Sequence, residues 1–287
     1  MRQPQADDTL RAWTESAPHW KKHADTIRTM FAPLTHALIE EAGISKGQSV
    51  LDIAAGPGEP SLTIAEVVGP LGSVTCTDAV ADMVSAAEKE ALRRGLTNIK
   101  FHQCEADSLP FEDNSFDAVV SRLGVMLFPD PLAAIREMLR VTKQNGRLSL
   151  AVWHRSDLNP FFYIVSNIVS RYVETPPSDP GTPGAFRFAK LGELANLVRQ
   201  AGAMEVRERL LKFHIHARIS PEEFWTLRSE TSATLRDKAK RLSAQDIVKV
   251  ANETQKAARE FFSNNQMRFP AQASIVTGKR ESLDLTT

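Results

Sequence analysis

The chain is nearly free of cysteine: Cys76 and Cys104 are the only two in 287 residues. That argues against a disulfide framework and against a cysteine-based zinc centre. Both cysteines fall in stretches that read as strands of one sheet. Neither sign of charge is in excess, with 35 Lys plus Arg against 35 Asp plus Glu, so the basic stripe of a nucleic-acid surface is not expected. No apolar run reaches the ~18 residues of a membrane span; the nearest, Phe161 to Val169, is interrupted by Ser166 and Asn167. The opening residues, Met1 to Arg11, are polar and lack the apolar core of a signal peptide. Internal repeats and low-complexity tracts are absent as well. Together these gaps lead to the expectation of a cytoplasmic protein, monomer or homodimer, with no nucleic-acid partner and no stable membrane insertion.

What is present is ordinary for a soluble globular protein, 42% hydrophobic and 24% charged residues, arranged in an alternating pattern. Residues 8–43 carry Trp13, Trp20, Ile27, Met30, Phe31, Leu34, Leu38 and Ile39 at helical spacing, with Pro33 as a break. Strands are expected over Ser49 to Ile53, Ser73 to Thr77, Ile99 to Cys104, Phe116 to Ser121 and Arg147 to Trp153, the last entered through an Asn145-Gly146 turn. Helices are expected over Ser61 to Val68, Ala81 to Gly95 and Pro131 to Val141. Strands alternating with helices imply right-handed crossovers and a mostly parallel sheet covered on both faces. Residues 154–187, with Pro176, Pro177, Pro180 and Pro183, read as a loop-rich excursion. Beyond it come a helix over Phe188 to Ala201, a strand over Met204 to His216, a helical block over Pro221 to Ser263 and a last strand over Gln272 to Thr277.

The fold class that follows is α/β: a Rossmann-like, doubly wound, seven-stranded and mostly parallel sheet with an antiparallel last strand and a helical cap. The expected division is an N-terminal helical lid (1–45), a core (46–216 and 265–287) and a cap insertion (217–264).

Four chemistry-bearing elements fall at the carboxyl ends of successive strands, where ligands bind in such sheets. The first is Asp52-Ile53-Ala54-Ala55-Gly56-Pro57-Gly58, a strand end, a small-residue turn and then a helix start at Pro60. Glycine lets a ligand approach the main chain, and Pro60 suits a first helical turn. The second is Asp78, twenty residues beyond Gly58, a carboxylate placed to accept both hydroxyls of a ribose. The third is Cys104-Glu105-Ala106-Asp107-Ser108-Leu109-Pro110-Phe111, and the fourth is Ser121-Arg122-Leu123-Gly124-Val125. Taken singly, the glycines fit an ordinary strand-to-helix turn and Asp78 a helix cap. A dinucleotide oxidoreductase also uses a glycine turn followed by an acid, but Ser61 stands where its third glycine belongs.

The four elements together resemble the motifs of class I S-adenosylmethionine-dependent methyltransferases, in the small-molecule branch that includes the ubiquinone/menaquinone-biosynthesis methyltransferases. The resemblance is specific over 48–153 and extends more loosely into the flanking segments. It implies S-adenosyl-L-methionine as cofactor. Asp52, Ala54, Ala55, Gly56 and Gly58 would form the methionine end, with alanine at the first glycine position. Asp78 and Ala79 would hold the ribose. Glu105, Ala106 and Asp107 match the segment that flanks adenine, with glutamate at the first position. Ser121 and Arg122 match positions near the methionine part. Met83 and Met126 fall where they can pack on the adenosine, or simply in the core, and Trp20 can cover it.

The expected reaction is in-line methyl transfer to a small, apolar or aromatic acceptor. The alternatives are an NAD(P)-dependent oxidoreductase and a non-catalytic adenosylmethionine-binding protein. Such a displacement needs no metal and no obligatory base. His154, following the fifth strand, is the candidate general base, with His23 behind it and an ordinary loop histidine as the plainer reading. His214 and His216 share a strand face without a matching ligand cluster. Trp13, Trp20, Trp153, Phe161, Phe162, Trp225, Phe261 and Phe262 come from segments around the expected pocket mouth, where they either meet the acceptor or pack the cap.

Overall fold

The computed structural model describes residues 4–174 and 181–281, with side chains from residue 8 onward. Pro176, Pro177 and Pro180 lie outside the described residues. Two helices open the chain, α1 (Pro4–Lys22) and α2 (Ala24–Ala42). The break between them falls at His23, and Pro33 sits inside a continuous α2. Buried Ile27, Met30, Phe31, Leu34 and Leu38 keep α2 pressed on the core, and that packing outweighs the single N–H that proline removes.

The alternating region follows as β1 (Ser49–Ile53), α3 (Ser61–Val68), β2 (Ser73–Asp78), α4 (Ala81–Arg93), β3 (Ile99–Gln103), β4 (Phe116–Arg122), α5 (Pro131–Val141) and β5 (Thr142–Trp153). Cys104 lies one residue past β3. The Asn145-Gly146 pair is not a turn before a strand. β5 begins at Thr142, pairs it with Phe116, and shifts register before Arg147 meets Ala118. Asn145, at φ 60°, absorbs that shift.

Beyond β5 the excursion contains a helix, α6 (Pro160–Val169), and α7 (Glu193–Gln200) is shorter than the expected Phe188–Ala201 span. β6 (Met204–Ala217) leads into three helices rather than one: α8 (Pro221–Thr231), α9 (Ala233–Ala239) and α10 (Ala244–Ala258). Each starts on a serine whose hydroxyl accepts a backbone N–H three residues on: Ser220, Ser232 and Ser243. The chain closes with β7 (Phe262–Ser263) and a long β8 (Gln266–Lys279).

The sheet runs β3-β2-β1-β4-β5-β8-β6, with β7 paired to β8 as a short addition. β3, β2, β1, β4 and β5 are parallel to one another, and β8 is antiparallel to both β5 and β6. Strand order reverses between β1 and β4, so the carboxyl ends of those two strands open the crevice where such sheets take ligands. α2 packs on β4, β5, β6 and β8, whereas α1 reaches across to α4, α8 and α9.

The hydrophobic core continues without a break from the sheet to the cap helices. Phe161, Phe224 and Phe269 are fully buried and meet ring to ring, with Phe261 and Phe262 against Phe269 and with Phe162 on both Phe161 and Trp153. Most of the aromatics expected near a pocket mouth therefore serve as the interface that joins cap and core.

Candidate active site

The crevice at the ends of β1 and β4 is a cavity of about 690 Å³, within the usual size of a ligand site. Its floor is the turn after β1. Ala54 (φ 58°) and Gly56 (φ 57°) both take left-handed backbone, and a Cβ built on Gly56 would meet nothing within 4 Å. Main chain there is open to a ligand. Gly58 (φ 118°) has the opposite surroundings, because a Cβ on it would come within 2.6 Å of Leu62. It lets the turn dock on α3 and does not itself line the cavity.

Asp78 stands at the end of β2 with its carboxylate fixed from behind. Gly56 N–H donates to Oδ2 and Val80 N–H to Oδ1, each at 2.9 Å. Burial raises its pKa, and the backbone donors of Val80, Gly56 and Ala79 work against that rise. The carboxylate thus braces the glycine turn while it lines the cavity. Next to it, Glu105, Ala106 and Asp107 line the cavity after β3. Their loop is moored to α5: Leu109 N–H donates to Glu137, and the Arg140 guanidinium donates to the carbonyls of Leu109 and Phe111.

Two predicted residues sit one layer below. Asp52 is fully buried; its Oδ2 accepts from the Ser61 hydroxyl at 2.6 Å and its Oδ1 has no hydrogen-bond partner. Burial pushes it up to about 7, against the lowering effects of Ser61 and Arg122. Ser121 is buried and donates to the carbonyl of Ile53 at 2.8 Å, pinning β4 to the end of β1. Arg122 does line the cavity. Its guanidinium donates to Thr35 of α2 and to the carbonyl of Glu59, and lies 5.8 Å from the Phe31 ring centroid. Burial lowers its pKa, offset by Glu59 and Asp52. One side chain thereby ties β4, α2 and the glycine turn together.

The roof is α1. Leu10, Trp13 and Trp20 pack with buried Ala17, Val80 and Met83, and Trp13 meets Trp20 edge to face. Trp20, Ala79 and Met83 line the cavity. Trp20 Nε1 donates to the carbonyl of Thr231 on α8 at 3.0 Å, and Glu230 on the same turn accepts from Lys22 and contacts His23.

The remaining wall follows β4 and was not among the expected residues. Leu127, Phe128, Asp130 and Arg187 line it, together with Ile27 and Phe31 of α2. Met126 is buried just beneath and does not reach the cavity. Because β2 and β3 lie on one side of β1 and β4 on the other, this wall faces the opposite side of the crevice from Asp78 and Asp107.

His154 corrects its expected role. It is 7% exposed, its Nδ1 is 2.7 Å from the carbonyl of Ala189, and it does not line the cavity. Its own carbonyl accepts from Asn159, whose amide also donates to Gln272 O. The histidine belongs to the join between β5, β8 and the following loop. His23 is likewise engaged by Glu230 rather than by the cavity. His214 and His216 are exposed on β6, with Arg268 beside His214.

The parallel sheet, the glycine turn and the acid at the end of β2 define a nucleotide-cofactor enzyme of the class I methyltransferase type. A family described as a methyltransferase domain matches residues 44–169. An uncharacterised protein of Mycobacterium tuberculosis is 35% identical over 207 residues, covering 70% of this chain and 73% of that protein. The ubiquinone/menaquinone biosynthesis C-methyltransferase of Cellvibrio japonicus is 41% identical over 111 residues, covering 38% of this chain and 45% of that enzyme. The YcgJ protein of Bacillus subtilis shares the fold, with a TM-score of 0.56, 24% identity and coverage of 86% of this chain and 98% of that one. The chain belongs to the class I S-adenosylmethionine-dependent methyltransferases, and its cofactor is S-adenosyl-L-methionine. The Cellvibrio alignment spans less than half of either chain, so the relationship to the quinone enzymes covers only part of the molecule.

Proposed function

We propose that the chain transfers a methyl group to a small, apolar or aromatic molecule held between the glycine turn and the Phe31, Leu127 and Phe128 wall. The observation that carries this reading is the shape of this crevice. It has a polar side at Asp78 and Asp107 and an apolar side at Ile27, Phe31, Leu127 and Phe128. When bound, the cofactor supplies an electrophilic methyl group on sulfur. The residues supply position and dryness.

In this reading Asp78 accepts the ribose hydroxyls, and the main chain at Ala106 with Asp107 or Glu105 receives the adenine. The turn from Ala54 to Gly56 takes the methionine part, with the N-terminus of α3 offering backbone N–H groups to its carboxylate. Asp52 lies beneath that turn with an unpartnered oxygen, an arrangement that suits a nearby ammonium group reached through water. Trp20 and Met83 cover the adenosine. We further read α1 as the covering part of an N-terminal lid, residues 46–216 and 265–287 as the catalytic core, and 217–264 as the cap.

No histidine lines the cavity among the described residues, which favours an acceptor that needs little help from a base. Three measurements test the reading. Calorimetry with S-adenosylhomocysteine and with NAD should show binding of the first only; preference for NAD would overturn it. Asp78→Ala should weaken S-adenosylhomocysteine at least ~30-fold, the loss of about 2 kcal/mol of charged hydrogen bonding. Methyl transfer from labelled cofactor to quinols, phenols, thiols and amines then identifies the acceptor atom; transfer to polar amines alone would contradict an apolar acceptor.

A further inference from the structure

The wall after β4 carries a guanidinium prepared on three sides. Arg187 Nη1 donates to the carbonyl of Phe128 at 2.5 Å, and its head lies 5.5 Å from the Phe188 ring centroid. One nitrogen is thus anchored and the group is braced against an aromatic face. Among the described residues its remaining edge, Nε with Nη2, makes no hydrogen bond, and the side chain lines the cavity. Arg187 forms no ion pair among the described residues. The acidic side chain nearest in charge, Asp130, is engaged in capping α5 through Ala133 N–H. Burial holds the Arg187 pKa below the usual guanidinium range, as expected of a cation set back from bulk water.

A second unpaired cation stands behind it. Arg228 of α8 is 7% exposed, and its head lies 4.8 Å from the ring centroids of both Phe161 and Phe162. Its Nε is buried without a hydrogen-bond partner, and no carboxylate pairs with it among the described residues. Phe162 packs edge to face on Phe186, the neighbour of Arg187 in sequence. Two guanidinium groups without an ion pair among the described residues therefore each lie on aromatic rings, Arg187 on Phe188 and Arg228 on Phe161 and Phe162, and of the two Arg187 lines the cavity. Aromatic faces return only part of what burial of an unpaired cation costs. Of the other arginines of the cavity, Arg94 is bound by Glu59 and Glu90 and Arg28 by Asp25; Arg122 also forms no ion pair among the described residues and has a buried, unpartnered Nε, but its other two nitrogens are taken up by Thr35 and the Glu59 carbonyl.

We infer that the acceptor is an apolar or aromatic carboxylic acid, whose carboxylate is received side-on by the Nε and Nη2 edge of Arg187. Arg228 adds positive potential behind the same wall without touching the ligand. The free edge offers two parallel donors, which match the two oxygens of a carboxylate. Arg187 is a specificity residue here, not a participant in methyl transfer. The inference rests on the assignment of this wall to the acceptor.

The test is competitive binding by calorimetry, in the presence of saturating S-adenosylhomocysteine, of 1-naphthoate against its neutral amide. Wild type should prefer the acid by at least ten-fold. Arg187→Gln should remove that preference, Arg187→Lys should restore part of it, and Arg228→Met should reduce it about three-fold. All three variants should bind S-adenosylhomocysteine as wild type does, which separates a failed acceptor site from a failed fold or a failed cofactor site. Equal affinity of wild type for acid and amide, or a preference that survives Arg187→Gln, overturns the inference. Loss of S-adenosylhomocysteine binding by the wild type would instead overturn the reading of the whole crevice.

Discussion

Asp52 shows how much the site depends on what lies under it. A carboxyl that is fully buried, bonded through one oxygen and pushed up to about 7 favours the folded chain most when protonated. Its contribution is complete below the 3.8 of an unperturbed aspartate and is lost as the pH rises to about 7. Asp52→Asn should therefore gain stability relative to wild type across that window, by at most about 4 kcal/mol at pH 8. Denaturant titrations at pH 5, 6, 7 and 8 read this directly; a gap that does not change with pH would show that Asp52 is not the titrating group. Ala54 is the second test at this scale. A non-glycine residue at φ 58° is strained by about 1 kcal/mol, so Ala54→Gly should raise the melting temperature by a few degrees. A fall would show that the Ala54 methyl, which crowds Gly124, packs more than it strains. In the sequence Ala54 stands out as a departure from the glycine pattern, while its backbone angle belongs to the folded turn. Ser61 shows there only as a missing third glycine, whereas its hydroxyl is the donor that holds Asp52.

At the scale of elements, the alternation from Ser49 to Val141 is legible because β1 and β4 are short, largely apolar runs, β2 and β3 alternate, and each helix has a clean start or stop. The legibility fails where tertiary packing overrides a local signal. Pro33 reads as a break, yet the buried face of α2 carries the helix through it. Residues 221–263 read as one helical block, yet Ser232 and Ser243 each cap a new helix. β8 runs to fourteen residues because β6 pairs with it from Met267 to Lys279 and β5 joins from Ala273 onward, a fact about pairing rather than propensity. The Leu127, Phe128 and Arg187 wall was invisible for a similar reason: Arg187 reaches the cavity by anchoring to a carbonyl 59 residues earlier in the chain. The attachment of α1 to α8 and α9 is testable as an element. Glu230 holds Lys22 and His23, and the lowering effect of those contacts outweighs the rise that burial gives its pKa. Glu230→Ala should loosen α1, giving faster proteolysis near Lys22 and a KM for the cofactor raised about three- to ten-fold, on the order of 1 kcal/mol. Unchanged proteolysis would mean that Trp20 and Arg236 hold the helix without it.

For the whole molecule, the informative fact is that α1 touches the core through Val80 and Met83 and the cap through Thr231, Glu230 and Arg236. Cofactor binding should therefore be felt in segments distant in sequence. S-adenosylhomocysteine should slow amide exchange in α1, α8 and α9 while leaving the centres of β1 and β4, already among the most buried strands, unchanged. Exchange that slows only around the glycine turn would show that roof and cap respond separately. The same double attachment sets a timetable for turnover. The helix that roofs the cavity is also bonded to the cap, so under the proposed assignment the roof opens for cofactor exchange only when that second attachment yields. Catalysis on this scaffold should run in compulsory order, cofactor first in and last out, and a surplus of acceptor should slow the enzyme by trapping spent cofactor beneath the roof.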